Sequence, residues 1–548
     1  MRARGIAGKG VLALAAAGTP VFAYAYATDE GTRRSTTFWA NVVPMYTAYR
    51  FVQLLNRDAG LLSDDRANRV YESLHRAFAV PTRDITYRLR GFYLKHAQMM
   101  SMQDSFVPKE FMKWVKDTQS NVPTEYTGEK AIEVVRGILL QESSLAFEDV
   151  FEDFSEQPIG VASIGQAHKA RLTKRYCEQH GIKDPVVAVK FIYPNIERIF
   201  RSDIHTLKTF CEFAMPQHAP AFNEIERQFV TEFNYKLEAQ NLNAVHDNII
   251  PRFGAHVDIP VALMSSQSLL VMSFLDGVKL VDGIRSSFDK VARLSGRSLE
   301  DIERENALKM KDGTYKLKSL QQEQSDRKTL QLYMTLRNVT YNTACFLYNY
   351  SIFRFAYGKV QYDWAELPLD LAHIIQLLAK VQASAIFDDG LFNSDQHPGN
   401  IMLLKNGKIG LIDFGQVKRI DMQTRETYAK LMIAHSNRDI ETVVKLHFDV
   451  GTRTKYSKPD IAYRFSAFYN DRNTPDICGD MNIATFIDYL EAQDPMKKLP
   501  DEFILLSRSS LMLRGMGNAF GLQLSVADLY KSSAETFLES LKRKGVDK

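Results

Sequence analysis

Three polar side chains, Asp395, Asn400 and Asp413, fall within residues 394–415, SDQHPGNIMLLKNGKIGLIDFG. Their types and order suit phosphoryl transfer. That chemistry needs a carboxylate to take the proton of the attacking hydroxyl or water, and hard oxygen ligands to hold a divalent cation on the phosphates. Asp395 fits the base, while Asn400, five residues on, and Asp413 fit the metal positions. Two apolar runs, 401–404 and 409–412, flank Lys405-Asn406-Gly407-Lys408. Asn-Gly predicts a tight hairpin with positive φ at both central residues, and such a hairpin folds Asp413 back beside Asn400. Alone, Asp-Phe-Gly marks little more than a turn after a strand. In register with Asp395 and Asn400 it marks a nucleotide and metal site.

Other elements must position these groups. Residues 158–193 read as a strand hairpin, PIGVASIGQAHKARL, then a polar insert at 174–184, then VVAVKFIY. Small residues at Gly160, Ala162, Ser163 and Gly165 let backbone amides approach a phosphate closely, as an anion nest. In VAVK, alternating apolar residues bury one strand face and leave Lys190 to reach phosphates. A carboxylate is needed to orient that lysine, and the helical stretch 222–248 offers Glu224, Glu226, Glu232 and Glu238. The run LLVMSFL, 269–275, reads as a buried strand carrying Met272 and leading to a hinge at Asp276-Gly277. Residues 41–79 and 83–116 predict helices broken at Pro81 and Pro108. The charged stretch 285–326 reads as an inserted linker or surface helix pair. Helices over 330–355 and 367–387 are expected to scaffold the catalytic loop, and the chain after Gly415 reads as almost wholly helical.

The chain has 548 residues, 45% hydrophobic, enough for a large core in two lobes with appended helices. Its 69 basic and 65 acidic residues nearly balance, which gives no argument for a nucleic-acid partner. Cys177, Cys211, Cys345 and Cys478 are too dispersed for a zinc site or disulfide framework, and read as free or buried thiols. The N-terminus carries Arg2, Arg4 and Lys9, no acid before Asp29, and a nearly continuous apolar run at 11–27 interrupted by Pro20. A mitochondrial presequence, a secretory signal ending in Ala23-Tyr24-Ala25 or Ala25-Tyr26-Ala27, and a membrane anchor all compete for it. The leading reading is mitochondrial targeting with membrane association, with Tyr24 and Tyr26 at the interface.

Together these residues resemble the UbiB family of atypical, protein-kinase-like ATPases, or aarF-domain kinases, over roughly 87–418. The family's K-x-G-Q motif stands here as Lys95-His96-Ala97-Gln98, its Ala-rich nucleotide loop as Ala162-Ser163-Ile164-Gly165-Gln166-Ala167-His168, and its D-x-H-P-G-N as 395–400. The resemblance implies Lys190 as the nucleotide lysine, Glu238 as its helix partner, and Glu232 of an E-x-D motif paired with Lys95. It also implies ATP and Mg²⁺ as cofactors. The nucleotide-contact set is then Gly160, Val161, Ala162, Ser163, Gly165, Gln166, Lys190 and Met272, with Asn400 and Asp413 on metal, Asp395, Lys190 and Glu238 catalytic, and Lys95, Gln98 and Glu232 regulatory. Five positions depart from the pattern: Ala97 for glycine, Asn234 for the E-x-D aspartate, Gly160 and Val161 for two alanines, and Asn393 where many members have histidine.

The fold class expected is α+β, a bilobal protein-kinase-like fold. Its parts are a targeting or membrane segment at 1–40, a helical extension at 41–150, an N-lobe at 151–277, a C-lobe at 278–422 and a helical C-terminal part at 423–548. Family members are associated with quinone and lipid metabolism at membranes. The expected function is a Mg²⁺-dependent atypical kinase or ATPase with membrane lipid and mitochondrial protein partners. A trans-acting protein kinase and a non-catalytic nucleotide- or lipid-gated scaffold are the alternatives, the first weakened by the missing H-R-D and A-P-E sequences.

Overall fold

A computed structural model of the chain describes residues 23–100, 107–118, 122, 124, 126–214, 231–294, 296–311, 315–352, 354–355, 358–479 and 481–546. The apolar run at 11–27 lies mostly outside these residues, as do Glu224 and Glu226. No helix among the described residues is long and apolar enough to cross a membrane. The chain divides into two compact units, Met1–Ala239 with Ala262–Phe274, and Gln240–Val261 with Leu275–Lys548.

In the first unit, helices α1 (Glu30–Gln53), α2 (Asp64–Leu89), α3 (Gly91–Met100), α4 (Lys109–Asp117) and α5 (Glu129–Ser143) precede the sheet. Pro81 lies inside α2 and does not end it. The missing N–H is one lost bond in a 26-residue helix whose Ala79, Ile85, Thr86 and Leu89 are buried, so packing outweighs the break. The sheet holds β1 (Phe151–Phe154), β2 (Gly160–Val161), β3 (Gly165–Leu172) and β4 (Val186–Ile192), then helix α6 (Ile196–Ala214) follows. Helix α7 (Tyr235–Phe253), whose residues from Gln240 belong to the second unit, and strand β5 (Val257–Asp258) of that unit come next in the chain, and β6 (Ala262–Ser265) and β7 (Leu269–Ser273) complete the first unit's sheet. Strand order is β1-β3-β4-β7-β6, with β2 on β3, all antiparallel. Val187, Val189, Phe191 and Leu269 to Val271 are fully or almost fully buried and pack with Phe92 and Phe200 from the helices. β-branched and aromatic residues on a pleated surface, buried on alternate faces, explain why this stretch is strand.

The second unit carries β5, β8 (Gly277–Lys279), β10 (Ile401–Leu404) and β11 (Ile409–Leu411) in the order β5-β11-β10-β8, and β9 (Leu391–Asn393) paired with β12 (Val417–Arg419). Its helices are α8 (Leu280–Leu294), α9 (Leu299–Lys311), α10 (Leu320–Asn349), α11 (Leu371–Ser384), α12 (Met422–Ser436), α13 (Ile440–Asp449), α14 (Pro459–Asn470), α15 (Ile483–Gln493), α16 (Asp501–Ala519) and α17 (Val526–Val546). Helix α11 is almost entirely buried and leads, through residues 385–389 and β9, to the loop that bears Asp395.

Helix α10 departs from the scaffold role read for 330–355. It starts earlier, at a Ser319–Gln322 capping box, and only Met334, Asn342, Cys345 and Asn349 along it are buried. Its polar face grips an extended strap, 359–370, running antiparallel to it. Asn349 exchanges two bonds with the backbone of Val360 at 2.7 and 2.8 Å, Asn342 two with Asp363 at 2.9 Å, and Asn338 two with Ala365 at 2.9 and 3.0 Å. A side-chain amide offers both donor and acceptor, so each asparagine satisfies both backbone groups of one strap residue.

Candidate active site

In the first unit, Lys190 on β4 donates to both carboxylate oxygens of Glu238 on α7, at 2.7 and 3.0 Å. Both side chains are mostly buried, and the ammonium also lies 5.0 Å from the Tyr235 ring centroid. This is a held, oriented cation, not a surface lysine. The loop between β2 and β3 closes with the Ala162 N–H on the Gly165 carbonyl at 2.8 Å, leaving the Ser163 and Ile164 amides at the tip without a backbone partner among the described residues. Gly165 is required by close approach. A Cβ there would lie 2.3 Å from the Phe191 carbonyl oxygen.

Gln166 is placed differently from a nucleotide contact. It is buried, its amide donates to the Tyr126 carbonyl and meets His168 Nε2, both at 2.6 Å, and its carbonyl accepts from the Tyr193 hydroxyl at 3.2 Å. Its side chain supports the loop from within the core. Burial lowers the pKa of His168 beside it, which favours the neutral ring. Met272 on β7 is half-buried and pairs with Ala188 of β4.

Lys95 on α3 pairs with Glu232 at 3.3 and 3.4 Å, as the resemblance implies. Gln98, one turn on, donates to the carbonyl of buried Thr118 at 2.9 Å. The extra methyl of Ala97 is buried with Trp114 and Val115. Asn234 caps α7, where its Oδ1 accepts the Leu237 N–H at 3.2 Å. Asparagine and aspartate cap helices about equally well.

In the second unit, β10 and β11 form the expected hairpin, Ile401 opposite Leu411, and the Ile412 N–H bonds the Asn400 carbonyl at 3.0 Å. Asn400 and Asp413 therefore flank the open end of one hairpin. The turn differs from the expectation in detail. Only Gly407 has positive φ, 82°, and Asn406 instead accepts the Lys408 N–H through its side chain at 3.0 Å. The loop is longer than a two-residue turn, so a single glycine reverses the chain.

Asp413 itself has φ of 68°, a left-handed conformation that costs a non-glycine residue energy and that aspartate tolerates better than most. Its Oδ1 accepts the Gly415 N–H at 3.2 Å. Asn393, where many family members have histidine, is buried and ties the site together. It donates to the Asp413 carbonyl at 2.8 Å and accepts the Asp395 N–H at 2.9 Å, while its own carbonyl takes a bond from Gln382 of α11 at 3.1 Å. Asn400 Nδ2 lies 3.4 Å from the Asp395 carbonyl, which turns its Oδ1 the other way as an acceptor. Among the described residues no group of three or more His, Cys, Asp or Glu side chains forms a metal cage. Two protein oxygens, from Asn400 and Asp413, suit Mg²⁺, which keeps waters and takes its other ligands from phosphates.

Sequence reasoning missed Arg508. From α16 its guanidinium reaches Asp395 Oδ1 and Gln416 Oε1, each at 3.0 Å. The partners are 113 residues apart in sequence, and no local pattern announces the pair.

The ABC1 atypical kinase-like domain matches residues 118–300 and 352–447. The chain belongs to the ABC1 atypical kinase-like family. It is 23% identical over 395 residues to the uncharacterized protein slr0889 of Synechocystis, covering 69% of this chain and 75% of that one. It is 21% identical over 501 residues to the probable serine/threonine-protein kinase abkB of Dictyostelium discoideum, covering 89% of this chain and 60% of that one. It is 22% identical over 371 residues to the probable protein kinase UbiB of Tolumonas auensis, covering 66% of this chain and 51% of that one. The ABC1 membership, the UbiB relative and the mostly helical architecture with mainly antiparallel strand pairing agree with the α+β, protein-kinase-like class read from the sequence.

Proposed function

We propose that this ABC1-family chain is a Mg²⁺-dependent, ATP-binding atypical kinase or ATPase of the UbiB type that supports mitochondrial lipid or quinone homeostasis at a membrane. The observation that carries the reading is the Asn393 frame, which fixes Asp395 and Asp413 to each other through their backbones beside Asn400. Bound Mg²⁺ supplies charge neutralisation on the phosphates. Asn400 and Asp413 present the oxygens that hold it, Asp395 orients the attacking water or hydroxyl and takes its proton, and Lys190, held by Glu238, offsets phosphate charge. Preorganised groups of this kind act without rearranging at the moment of reaction.

A second reading, a nucleotide-gated scaffold, is favoured by the Arg508 bond to the carboxylate that the base role needs. ATP turnover by the full chain, with and without anionic vesicles and beside Asp413→Asn, separates the two. Turnover that Asp413→Asn abolishes supports the enzyme. Nucleotide binding with no turnover in any condition sinks it, and labelled phosphate on an added protein supports a trans-acting kinase instead.

A further inference from the structure

Helix α10 and its strap carry an unusual surface. Leu332, Leu336, Val339, Phe346 and Tyr350 follow at steps of four, three, seven and four residues, so they line one face, and all five are at least half exposed. That face sits roughly 100° round the helix from the asparagines that hold the strap, so the strap does not cover it. Beyond the helix end Ile352 and Phe355 are 78% and 80% exposed, and Trp364 on the strap is 66% exposed. Single exposed apolar residues are ordinary; a contiguous set of this size marks an interaction surface. The ABC1 match passes over 301–351, so α10 lies outside the part of the chain that the family domain accounts for.

Charge identifies the occupant. The arm carries five cations, Arg327, Lys328, Arg337, Arg354 and Lys359, and its five acids, Glu323, Asp326, Asp363, Glu366 and Asp370, are each paired with a lysine or arginine. Arg327 pairs with Asp370 and Arg337 with Asp363. Lys328, Arg354 and Lys359 have no carboxylate partner among the described residues. A two-fold pairing of copies sets a surface against itself, and here it would bring these cations together. An anionic bilayer supplies the opposite charge, takes Leu, Val and Ile side chains into its boundary, and favours Tyr and Trp at headgroup level. We propose that α10 and its strap form an arm that docks on an anionic lipid membrane, with the apolar stripe inserted and Lys328, Arg354 and Lys359 at the phosphates.

This deepens the membrane association proposed above and rests on it. The four native cysteines are buried, so Val339→Cys in the full chain can carry one environment-sensitive fluorophore at the centre of the stripe. Vesicles are phosphatidylcholine alone or an equimolar mixture with phosphatidylglycerol, each also made with brominated acyl chains. The arm predicts a blue shift and bromine quenching on the mixed vesicles, and an apparent affinity weakened about tenfold or more by Lys328→Gln, Arg354→Gln and Lys359→Gln together. Lys328 and Lys359 are exposed, and Arg354, half-buried without an ion pair among the described residues, makes one long bond to the Asn349 carbonyl at 3.4 Å and lies 4.9 Å from the Phe355 ring centroid, so the triple variant should melt close to the parent. Flotation with vesicles while the label stays in water overturns the arm and leaves membrane association standing through another segment. No flotation overturns both. A shift that grows with protein concentration without lipid assigns the face to a second copy, and equal binding by the triple variant removes the charge argument; either result overturns the proposal.

Discussion

Asp203 on α6 sets a pH dependence that can be worked through from its surroundings. The side chain is 1% exposed and receives Arg34 of α1 through two bonds, at 2.9 and 2.6 Å, while the same guanidinium also donates to the Leu89 carbonyl at the end of α2. Burial pushes its pKa up from 3.8 to about 6, with the Arg34 bonds opposing that rise only in part. A carboxyl whose pKa is raised on folding favours the protonated form in the folded state. Its contribution is therefore fully present below pH 3.8 and is lost as pH rises through about 6. A rise of about two units corresponds to about 3 kcal/mol. Asp203→Asn removes the titration while keeping the shape. It also leaves Arg34 with a weaker partner, so the absolute stabilities differ and the slope is the diagnostic. A chain of two units need not unfold in one step, so the assay is hydrogen exchange of the α1 and α6 peptides, corrected for intrinsic rates, between pH 4 and about 6.5. The parent should lose protection relative to Asp203→Asn as pH rises, by up to about a hundredfold. Parallel profiles, or a parent that gains protection with pH, would refute the reasoning.

Three further outcomes follow from the packing. Glu238→Gln keeps the size but removes the charge from a bidentate bond to Lys190, so binding of a fluorescent ATP analogue should weaken by about tenfold, consistent with about 1.5–3 kcal/mol for a charged hydrogen bond; unchanged binding counts against Lys190 as the phosphate cation. Gly165→Ala forces a Cβ against the Phe191 carbonyl and should cost about 1–3 kcal/mol, read as lost exchange protection in β3 and β4. Asp471 is fully buried and accepts from Arg438, Arg472, the Ser525 hydroxyl and the Ala527 N–H, so Asp471→Ala should destabilise the second unit by about 3–5 kcal/mol in denaturant titration, and a neutral result would mean that the charges relax into solvent.

What can be read in advance follows range of interaction. The hairpin joining Asn400 to Asp413 is set within a dozen residues by two apolar runs and a glycine, so its existence is legible; its turn type is not, because the Asn406 side chain takes the bond that a positive φ would otherwise serve. Lys190 is legible from the strand pattern of VAVK, whereas its partner is not: the stretch 222–248 offers four glutamates, and only the family resemblance singles out Glu238, which the structure places on Lys190. Gln166 reads as a ligand contact because a motif names residues without saying which face they occupy, and the β3 pleat turns it inward to Tyr126 and Tyr193. Arg508 has no local signal at all. Helix α10 reads as a scaffold since its apolar residues recur at helical spacing, yet periodicity shows only that a face exists, not what covers it. Here the face that is covered bears Asn338, Asn342 and Asn349, polar residues that a hydrophobicity reading places outside.

The asparagine strap also works as a ruler. A helix rises about 1.5 Å per residue and an extended chain about 3.3 Å. From Asn349 to Asn342 the helix advances seven residues while the strap moves three, from Val360 to Asp363; from Asn342 to Asn338 four residues face two, Asp363 to Ala365. Those pairs of lengths agree within about 1 Å. Lengthening or shortening the arm therefore requires matched changes on both sides, seven helical residues with three strap residues. A one-residue insertion in either limb puts every clamp beyond it out of phase.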